Sequence, residues 1–218
     1  MSISINLNNI KSQLPNHVTL VAVSKTKPVA DLMEAYNAGQ RIFGENKIQE
    51  MTDKWEVMPK DIEWHMIGHV QTNKVKYMAP YVSLIHGVDS LKLLQEINKQ
   101  AAKNNRVIDC LLQMYIAEEE SKFGLDEQEL EEVLKLVQND KENYKNTRIV
   151  GLMGMATFTE NKNQIEKEFK HLKTIFDKFT IHNSQFTILS MGMSGDYQLA
   201  ISCGSTMVRI GSSIFGSR

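Results

Sequence analysis

Lys25 directly follows a run of apolar and β-branched residues, TLVAVS at positions 19–24. Such a run predicts a buried strand, so the lysine would emerge at the C-terminal end of that strand. Desolvation there lowers the pKa of an ammonium group and favours Schiff-base formation with a carbonyl compound. From position alone, a solvated loop lysine is the alternative. Lys27 faces the same way, but Pro28 follows it and begins a helix, so Lys25 is the better candidate.

Two segments rich in glycine and serine predict an anion site. GMSGD at 192–196 and RIGSS at 209–213 each follow an apolar run. Small residues expose backbone N–H groups, and such groups at a helix start bind phosphate. Each glycine taken singly has the alternative of an ordinary turn, whereas the two loops together favour a phosphate site. A phosphate site beside a reactive lysine indicates pyridoxal phosphate.

Arg209 lies within a predicted strand, between Val208 and Ile210, where a guanidinium needs a hydrogen-bond acceptor. Sites for pyridoxal phosphate place an Asp or an Arg against the ring nitrogen. Arg209 is therefore a candidate for that contact. A structural ion pair inside the fold is the alternative.

The sequence predicts no metal site. His65 and His69 have H-x-x-x-H spacing, but they straddle a strand end and Gly68, so they do not share a helical face. Cys110 and Cys203 are far apart and match neither a disulfide framework nor a metal-ligand pair. A reducing compartment fits this use of cysteine.

The elements that must position these residues alternate between short β-branched runs and segments of helical period. We predict eight strands, a helix after each strand but the last, and an extra N-terminal helix within 4–14. This is the plan of a single-domain α/β fold, a (β/α)8 TIM barrel over residues 1–218, which places the site at the C-terminal strand ends. An open doubly wound sheet also fits the alternation. The predicted strands are 19–24, 41–43, 62–67, 82–85, 107–115, 148–153, 186–190 and 206–210.

Composition excludes several classes of partner. The chain has 25 basic and 26 acidic residues among 218, with no concentrated basic face, so we expect no nucleic-acid partner. The sequence contains no run of about 20 apolar residues, so we expect no membrane span. The N-terminal segment lacks the pattern of a secretory signal, which favours the cytoplasm. With no long apolar edge, we expect a monomer.

Seven stretches of the chain resemble the pyridoxal phosphate homeostasis protein family, single-domain proteins similar to the barrel half of alanine racemase. They occur in the same order and cover almost the whole chain. The stretches are VAVSKTKP (21–28), FGENKIQE (43–50), EWHMIGHVQTNK (63–74), SKFGL (121–125), GLMGM (151–155), LSMGMSGDYQLAI (189–201) and GSTMVRIGSSIFG (204–216).

The resemblance implies pyridoxal 5'-phosphate as the cofactor and assigns roles to nine residues. Lys25 would form the Schiff base and Arg209 would face the pyridine nitrogen. Ser194, which lies fifteen positions before Arg209 as in the racemase motif, would hold the phosphate. The remaining implied residues are Gly211 and Ser212 at the phosphate, and Asn46, His65, Met155 and Ser190 along the pocket.

An arginine at the ring nitrogen cannot act as an acid at neutral pH, which leaves the cofactor a weak electron sink. Racemases whose cofactor ring nitrogen is unprotonated also use a tyrosine base from a second, β-rich domain. Because the sequence ends at Arg218, we expect that base to be missing. We therefore expect a binding and homeostasis role, with delivery to apoenzymes as a further hypothesis. An amino-acid racemase and a cofactor-free Schiff-base lyase are the alternatives.

Overall fold

In a computed structural model of the protein, eight parallel strands close into a barrel in the order of the chain. The structure describes residues 2–119, 123–181 and 183–216. Closure makes β1 pair with both β2 and β8, so the prediction of a (β/α)8 barrel is confirmed and the open sheet is wrong. The strands are β1 Thr19–Val23, β2 Ile42–Glu45, β3 Glu63–Met66, β4 Leu84–Val88, β5 Ile108–Met114, β6 Thr147–Gly154, β7 Ile188–Met193 and β8 Met207–Ile210.

Helices surround the barrel and lead the chain from one strand to the next. The predicted N-terminal helix is present as α1. A capping box begins α6, since Asp126 and Glu129 exchange hydrogen bonds. The helices are α1 Ile3–Gln13, α2 Val29–Asn37, α3 Ile48–Val57, α4 Val75–Met78, α5 Leu91–Lys103, α6 Glu127–Asn139, α7 Lys162–Thr180, α8 Tyr197–Ser202 and α9 Ser212–Phe215.

Two apolar clusters stabilise the barrel. The larger one fills the layer between strands and helices, with Trp64 and Phe169 among its fully buried side chains. The smaller one fills the barrel interior with inward residues such as Val21, Leu111 and Val150. This division follows from the pleat, because alternate residues of a strand face opposite sides. No helix within the described residues is long and apolar enough to cross a membrane.

The fourth strand was predicted to end at residue 85, and that boundary is wrong because β4 continues to Val88. Gly87 had the character of a turn residue. In the fold it lies against β3's end, where an added Cβ would be 2.7 Å from the carbonyl oxygen of Gly68. Gly87 thus permits a close approach of two backbones, and the extension brings His86 into the strand.

Two further boundaries differ at the end of the chain. The seventh strand was predicted over 186–190, whereas β7 runs to Met193 through a register shift against β8. The predicted absence of a helix after the last strand is also wrong, since α9 begins at Ser212. A four-residue helix is too short to show an apolar period in the sequence.

Candidate cofactor-binding site

A cavity of about 380 Å³ opens at the C-terminal ends of the strands. Seven of the nine predicted site residues line it, contributed by segments that are far apart in sequence. These seven are Lys25, Asn46, Met155, Ser194, Arg209, Gly211 and Ser212. The sequence prediction that the site lies at this end of the barrel therefore agrees with the geometry.

Lys25 follows β1 in a tight turn at the cavity wall and is half-buried. Lys27 also lines the cavity, but its Nζ donates a 3.0 Å hydrogen bond to the carbonyl oxygen of Phe215 at the end of α9. This contact occupies Lys27 in holding α9 against the β1 turn. Both lysines line the cavity, and the choice of Lys25 as the reactive amine stays a prediction.

Small residues form one end of the cavity. The backbone N–H of Gly211 donates a 3.2 Å hydrogen bond to Oγ of Ser194, which joins the loops after β7 and β8. Ser212 begins α9 beside them, so backbone N–H groups of the first turn have no intrahelical partner. Gly195 adds exposed backbone to the same wall. The two predicted loops meet, and their N–H groups fit a phosphate.

Gly192 sets the shape of the β7 end. Its φ of 98° lies in the left-handed region, and an added Cβ would be 2.6 Å from Cβ of Ala200 on α8. Glycine is required here for both reasons. Asp196 stabilises the turn that follows by accepting a 2.6 Å hydrogen bond from the backbone N–H of Met193.

Arg209 lies on the floor of the cavity and is only 4% exposed. Its Nη1 donates to Oγ of Ser190 at 2.6 Å and to the carbonyl oxygen of Ser190 at 2.9 Å, while Nη2 donates to the carbonyl oxygen of Gly154 at 3.1 Å. These three acceptors are neutral oxygens, although the charge of Asp196 also acts on the guanidinium. Burial lowers the pKa of the guanidinium to about 10, which leaves it charged at neutral pH.

Four inward side chains form a hydrogen-bonded chain across the barrel below the cavity. Oγ of Ser190 is 3.0 Å from Nδ1 of His86, and Nε2 of His86 is 3.1 Å from Nδ1 of His65. Burial lowers the pKa of both histidines, that of His65 to about 3, so both rings are neutral. Ser190 and His65 therefore lie beneath the cavity. Ser190 contacts Arg209 directly, whereas His65 is linked to Arg209 through His86 and Ser190.

One direction of hydrogen bonding along these four side chains is consistent with Arg209, which can only donate. The Ser190 hydroxyl accepts from Arg209, and its own proton then satisfies Nδ1 of His86. His86 consequently carries its proton on Nε2 and donates to Nδ1 of His65. This assignment gives each of the three contacts one donor and one acceptor.

His86 is the main site residue that the sequence analysis missed. The predicted strand stopped one residue before it, although continuing the alternation from residue 84 would have placed it inward. Thr26, Ile67 and Phe158 also line the cavity and were not predicted. Residues 121 and 122 of the SKFGL stretch lie outside the described residues.

Two loops at the mouth of the cavity are fastened by one buried carboxylate. Glu168 of α7 accepts from the N–H of Thr157 at 2.7 Å, from the Thr157 hydroxyl at 2.7 Å and from the N–H of Glu118 at 3.3 Å. The neighbouring Phe158 is 92% exposed at the rim. Glu168 thus fixes the β6 loop, which carries Met155, to the β5 loop.

Two other features of the described residues were candidates for a site. A second cavity of about 340 Å³ lies at the opposite end, between α1 and the segment before β2, and none of the predicted site residues line it. Among the described residues, no group of three or more potential His, Cys, Asp or Glu ligands could hold a metal ion. His65 and His69 do not meet, since His69 instead pairs with Asp89 at 3.3 Å.

Comparison with known proteins places the chain in a family. The family model for the alanine racemase N-terminal domain matches residues 2–218. The pyridoxal phosphate homeostasis protein of Aquifex aeolicus is 39% identical over 205 residues, covering 93% of this chain and 88% of that protein. The one of Schizosaccharomyces pombe is 39% identical over 220 residues, covering 97% and 91%. The chain belongs to the pyridoxal phosphate homeostasis protein family.

Solved structures of a family member resemble this one closely. PipY of Synechococcus elongatus, solved without PLP, has a TM-score of 0.91, 34% identity and coverage of 98% of this chain and 100% of its own. PipY with PLP bound has a TM-score of 0.87 and 33% identity over the same shares. Alanine racemase of E. faecalis shares the fold with a TM-score of 0.77 and 16% identity, and this chain covers 58% of it.

Proposed function

We propose that the protein binds pyridoxal 5'-phosphate as a reversible Schiff base on Lys25 and takes part in intracellular homeostasis of this cofactor. One observation carries the proposal. A half-buried lysine, a backbone-rich anion wall and a buried guanidinium that is hydrogen-bonded to neutral oxygens line the same cavity. When bound, the cofactor would supply an aldehyde that captures amines reversibly.

The residues present fit the chemical groups of this cofactor. Oγ of Ser194 and the N–H groups around Gly211 and Ser212 match a phosphate, which accepts hydrogen bonds only. Arg209 matches a pyridine nitrogen, because a fixed donor meets an unprotonated ring acceptor. The amine of Lys25 lies on the same cavity wall as both. Asn46 and Met155 line the remaining walls.

A homeostasis role is favoured over an amino-acid racemase. The relatives that match nearly the full chain at 37–40% identity are named pyridoxal phosphate homeostasis proteins, whereas the racemases share only the fold at 15–18% identity. Arg209 also keeps the ring nitrogen unprotonated, which disfavours carbanion chemistry. The capture of free cofactor needs the lysine and the phosphate wall but no turnover.

Cellular context and partners belong to the same proposal. We place the protein in the cytoplasm as a monomer, since its two buried free cysteines fit a reducing compartment and the sequence has no long apolar edge. Delivery of the cofactor to PLP-dependent apoenzymes is the further part of this hypothesis. It is tested by the rate at which a defined apoenzyme regains activity from the loaded protein and from free cofactor at equal concentration.

The decisive experiment locates the covalent attachment. The purified protein is incubated with pyridoxal phosphate, reduced with borohydride and digested, and the modified peptide is identified by mass spectrometry. We expect the adduct on Lys25, its loss in Lys25→Ala, and unchanged modification in the exposed-lysine control Lys76→Ala. An adduct that persists at the cavity in Lys25→Ala would refute the choice of lysine. The absence of any adduct in the wild type would favour a cofactor-free Schiff-base lyase.

Racemase activity is separated by exchange at the substrate Cα. The loaded protein is incubated with L-alanine in D₂O, and deuterium incorporation and the D-enantiomer are measured. We expect neither above the rate of free pyridoxal phosphate. Incorporation that is abolished in Lys25→Ala would establish the racemase alternative.

A further inference from the structure

A cluster of three charged residues, two of them buried, lies directly behind the Lys25 turn. Nζ of Lys54 on α3 donates to Oε1 of Glu45 at 2.7 Å and to Oε1 of Glu50 at 2.8 Å. Glu45 is 0% exposed and Lys54 is 6% exposed. Charges at this depth are rare in proteins and usually serve a specific arrangement.

The cluster holds the chain on both sides of Lys25. Before the lysine, the Ser24 hydroxyl donates to Glu45 at 2.6 Å, and Nζ of Lys54 donates to the carbonyl oxygen of Ser24 at 2.8 Å. After the lysine, the N–H of Thr26 donates to Oε1 of Glu50 at 2.5 Å. Lys25 is thus the residue between two anchored neighbours.

The conformation of Thr26 shows why an anchor is needed. Its φ is 65°, in the left-handed region, which a β-branched residue adopts only under constraint. Such conformations persist where the surroundings determine them, and they concentrate at functional sites. The hydrogen bond to Glu50 provides that constraint at the residue immediately after the reactive amine.

The cluster is a poor device for stability alone. Oε2 of Glu45 is buried without a hydrogen-bond partner within the described residues. Burial raises the pKa of this carboxyl, although Lys54 opposes the effect. A buried ion cluster with an unsatisfied oxygen is commonly no more stable than apolar side chains of the same volume. Its geometry therefore points to a positioning role.

We propose that Glu50 and Lys54, with Glu45, are positioning residues that hold the Lys25 turn in the orientation required to capture the aldehyde. The inference rests on the proposed function, because it assumes that Lys25 is the reactive amine. None of the three side chains lines the cavity. They act on the cofactor through residues 24 and 26, which flank Lys25.

The test compares substitutions at Glu50. Loss of its carboxylate removes the anchor of Thr26 and leaves the residues that line the cavity unchanged. In Glu50→Ala we expect the dissociation constant for pyridoxal phosphate to rise about tenfold to a hundredfold, the usual effect of losing a charge-assisted hydrogen bond. Glu50→Gln retains an acceptor and should restore most of the affinity. Glu56→Ala on the exposed part of α3 is the matched control and should not change it.

A second variant separates positioning from a general loss of folding. Asparagine adopts the left-handed conformation more readily than threonine, so Thr26→Asn should recover part of the affinity that Glu50→Ala loses. Pyridoxal, which lacks the phosphate, should show the same fold-loss as pyridoxal phosphate in Glu50→Ala. Thermal unfolding of the ligand-free variants gives the folded fraction used in each binding measurement.

The outcomes distinguish this inference from the proposed function. If the wild type forms no reducible adduct on Lys25, the proposed function itself fails. If the wild type forms it and Glu50→Ala binds both aldehydes with unchanged affinity, only the positioning role is refuted. If Glu50→Ala loses affinity solely in proportion to its unfolded fraction, with no recovery by Thr26→Asn, the cluster is structural and the inference is overturned.

Discussion

The guanidinium of Arg209 on β8 donates a 2.6 Å hydrogen bond to the hydroxyl of Ser190 on β7, at the floor of the cavity. Through this contact, a residue facing the cavity is coupled to two neutral histidines inside the barrel. The orientation of the guanidinium is therefore set by the interior. A cation held by neutral acceptors keeps its charge available to a ligand.

Arg209→Met should separate binding from stability. The guanidinium is buried against neutral oxygens, so its desolvation opposes folding, whereas Met fills the space without a charge. We expect the ligand-free protein to keep its thermal midpoint within a few degrees. The affinity for pyridoxal phosphate should fall about tenfold or more, the effect of losing a hydrogen bond from a charged donor. Thermal unfolding and a fluorescence titration measure the two effects. An unchanged affinity would show that Arg209 does not contact the cofactor.

Acid should destabilise the protein through its buried histidines. Burial lowers the pKa of His65 from 6.5 to about 3, so the unfolded chain binds the proton first as the pH falls. The stability contributed by neutral His65 is complete above pH 6.5 and is lost towards pH 3. Between pH 6.5 and about 5, one such histidine should lower the free energy of unfolding by about 1.5 kcal/mol.

The matched variants for this prediction are His65→Asn and His171→Gln. Asparagine places a polar atom near the position of Nδ1, so the contact with His86 can persist without the titration. Urea unfolding at several pH values measures how the free energy of unfolding falls as the pH is lowered. This fall should be smaller in His65→Asn, in which only the contribution of His65 is removed and that of His86 remains. His171 is exposed on α7, and its substitution should leave the fall as in the wild type. An equal dependence of stability on pH in the wild type and in His65→Asn would contradict the lowered pKa of His65.

Gly192→Ala should destabilise the fold by about 2–4 kcal/mol, from a left-handed φ and a contact of 2.6 Å with Ala200. Gly195→Ala provides the comparison, since an added Cβ there meets no atom within 4 Å. We expect its effect on stability to be about 0.5 kcal/mol or less. Urea denaturation of both ligand-free variants measures the difference. Similar values for the two would mean that β7 can relax away from α8.

Glu168→Gln should loosen the mouth of the cavity. A neutral amide cannot accept all the hydrogen bonds that the carboxylate receives from Thr157 and Glu118. We expect faster amide hydrogen exchange at those two residues and a stability loss of about 1–3 kcal/mol. Glu166→Gln, at a half-buried position of the same helix, should leave exchange at those two residues unchanged and lower the stability by less than Glu168→Gln does, because only its ion pair with Lys170 weakens. If amide exchange in Glu168→Gln became faster only in other segments, Glu168 would not be the residue that fastens these loops.

Much of the fold was predictable because its signals are local. The β-branched runs at 19–24 and 206–210 mark β1 and β8, and the alternation of such runs with helical segments indicates the barrel. In this fold all C-terminal strand ends meet at one face. For that reason Lys25 and the two glycine-rich loops could be assigned to one site from strand order alone.

The exact ends of β4 and β7 were not predictable from local pattern. Gly87 and Gly192 resemble turn residues in the sequence, but each lies within a strand where another backbone or side chain approaches closely. The distinction depends on what lies opposite the glycine. Only the packed structure contains that information.

The sequence by itself determined the alternation of strands and helices, the strand ends at which the site lies and the residue types that line it, because strand period and strand order are properties of the chain. The cofactor contacts of those residues stay predictions. The tertiary structure decided the pairings: His86 with Ser190 across the barrel, and Lys54 with the turn around Lys25. Such contacts join residues 30 to 104 positions apart. They depend on the register and closure of the sheet, which no local pattern specifies.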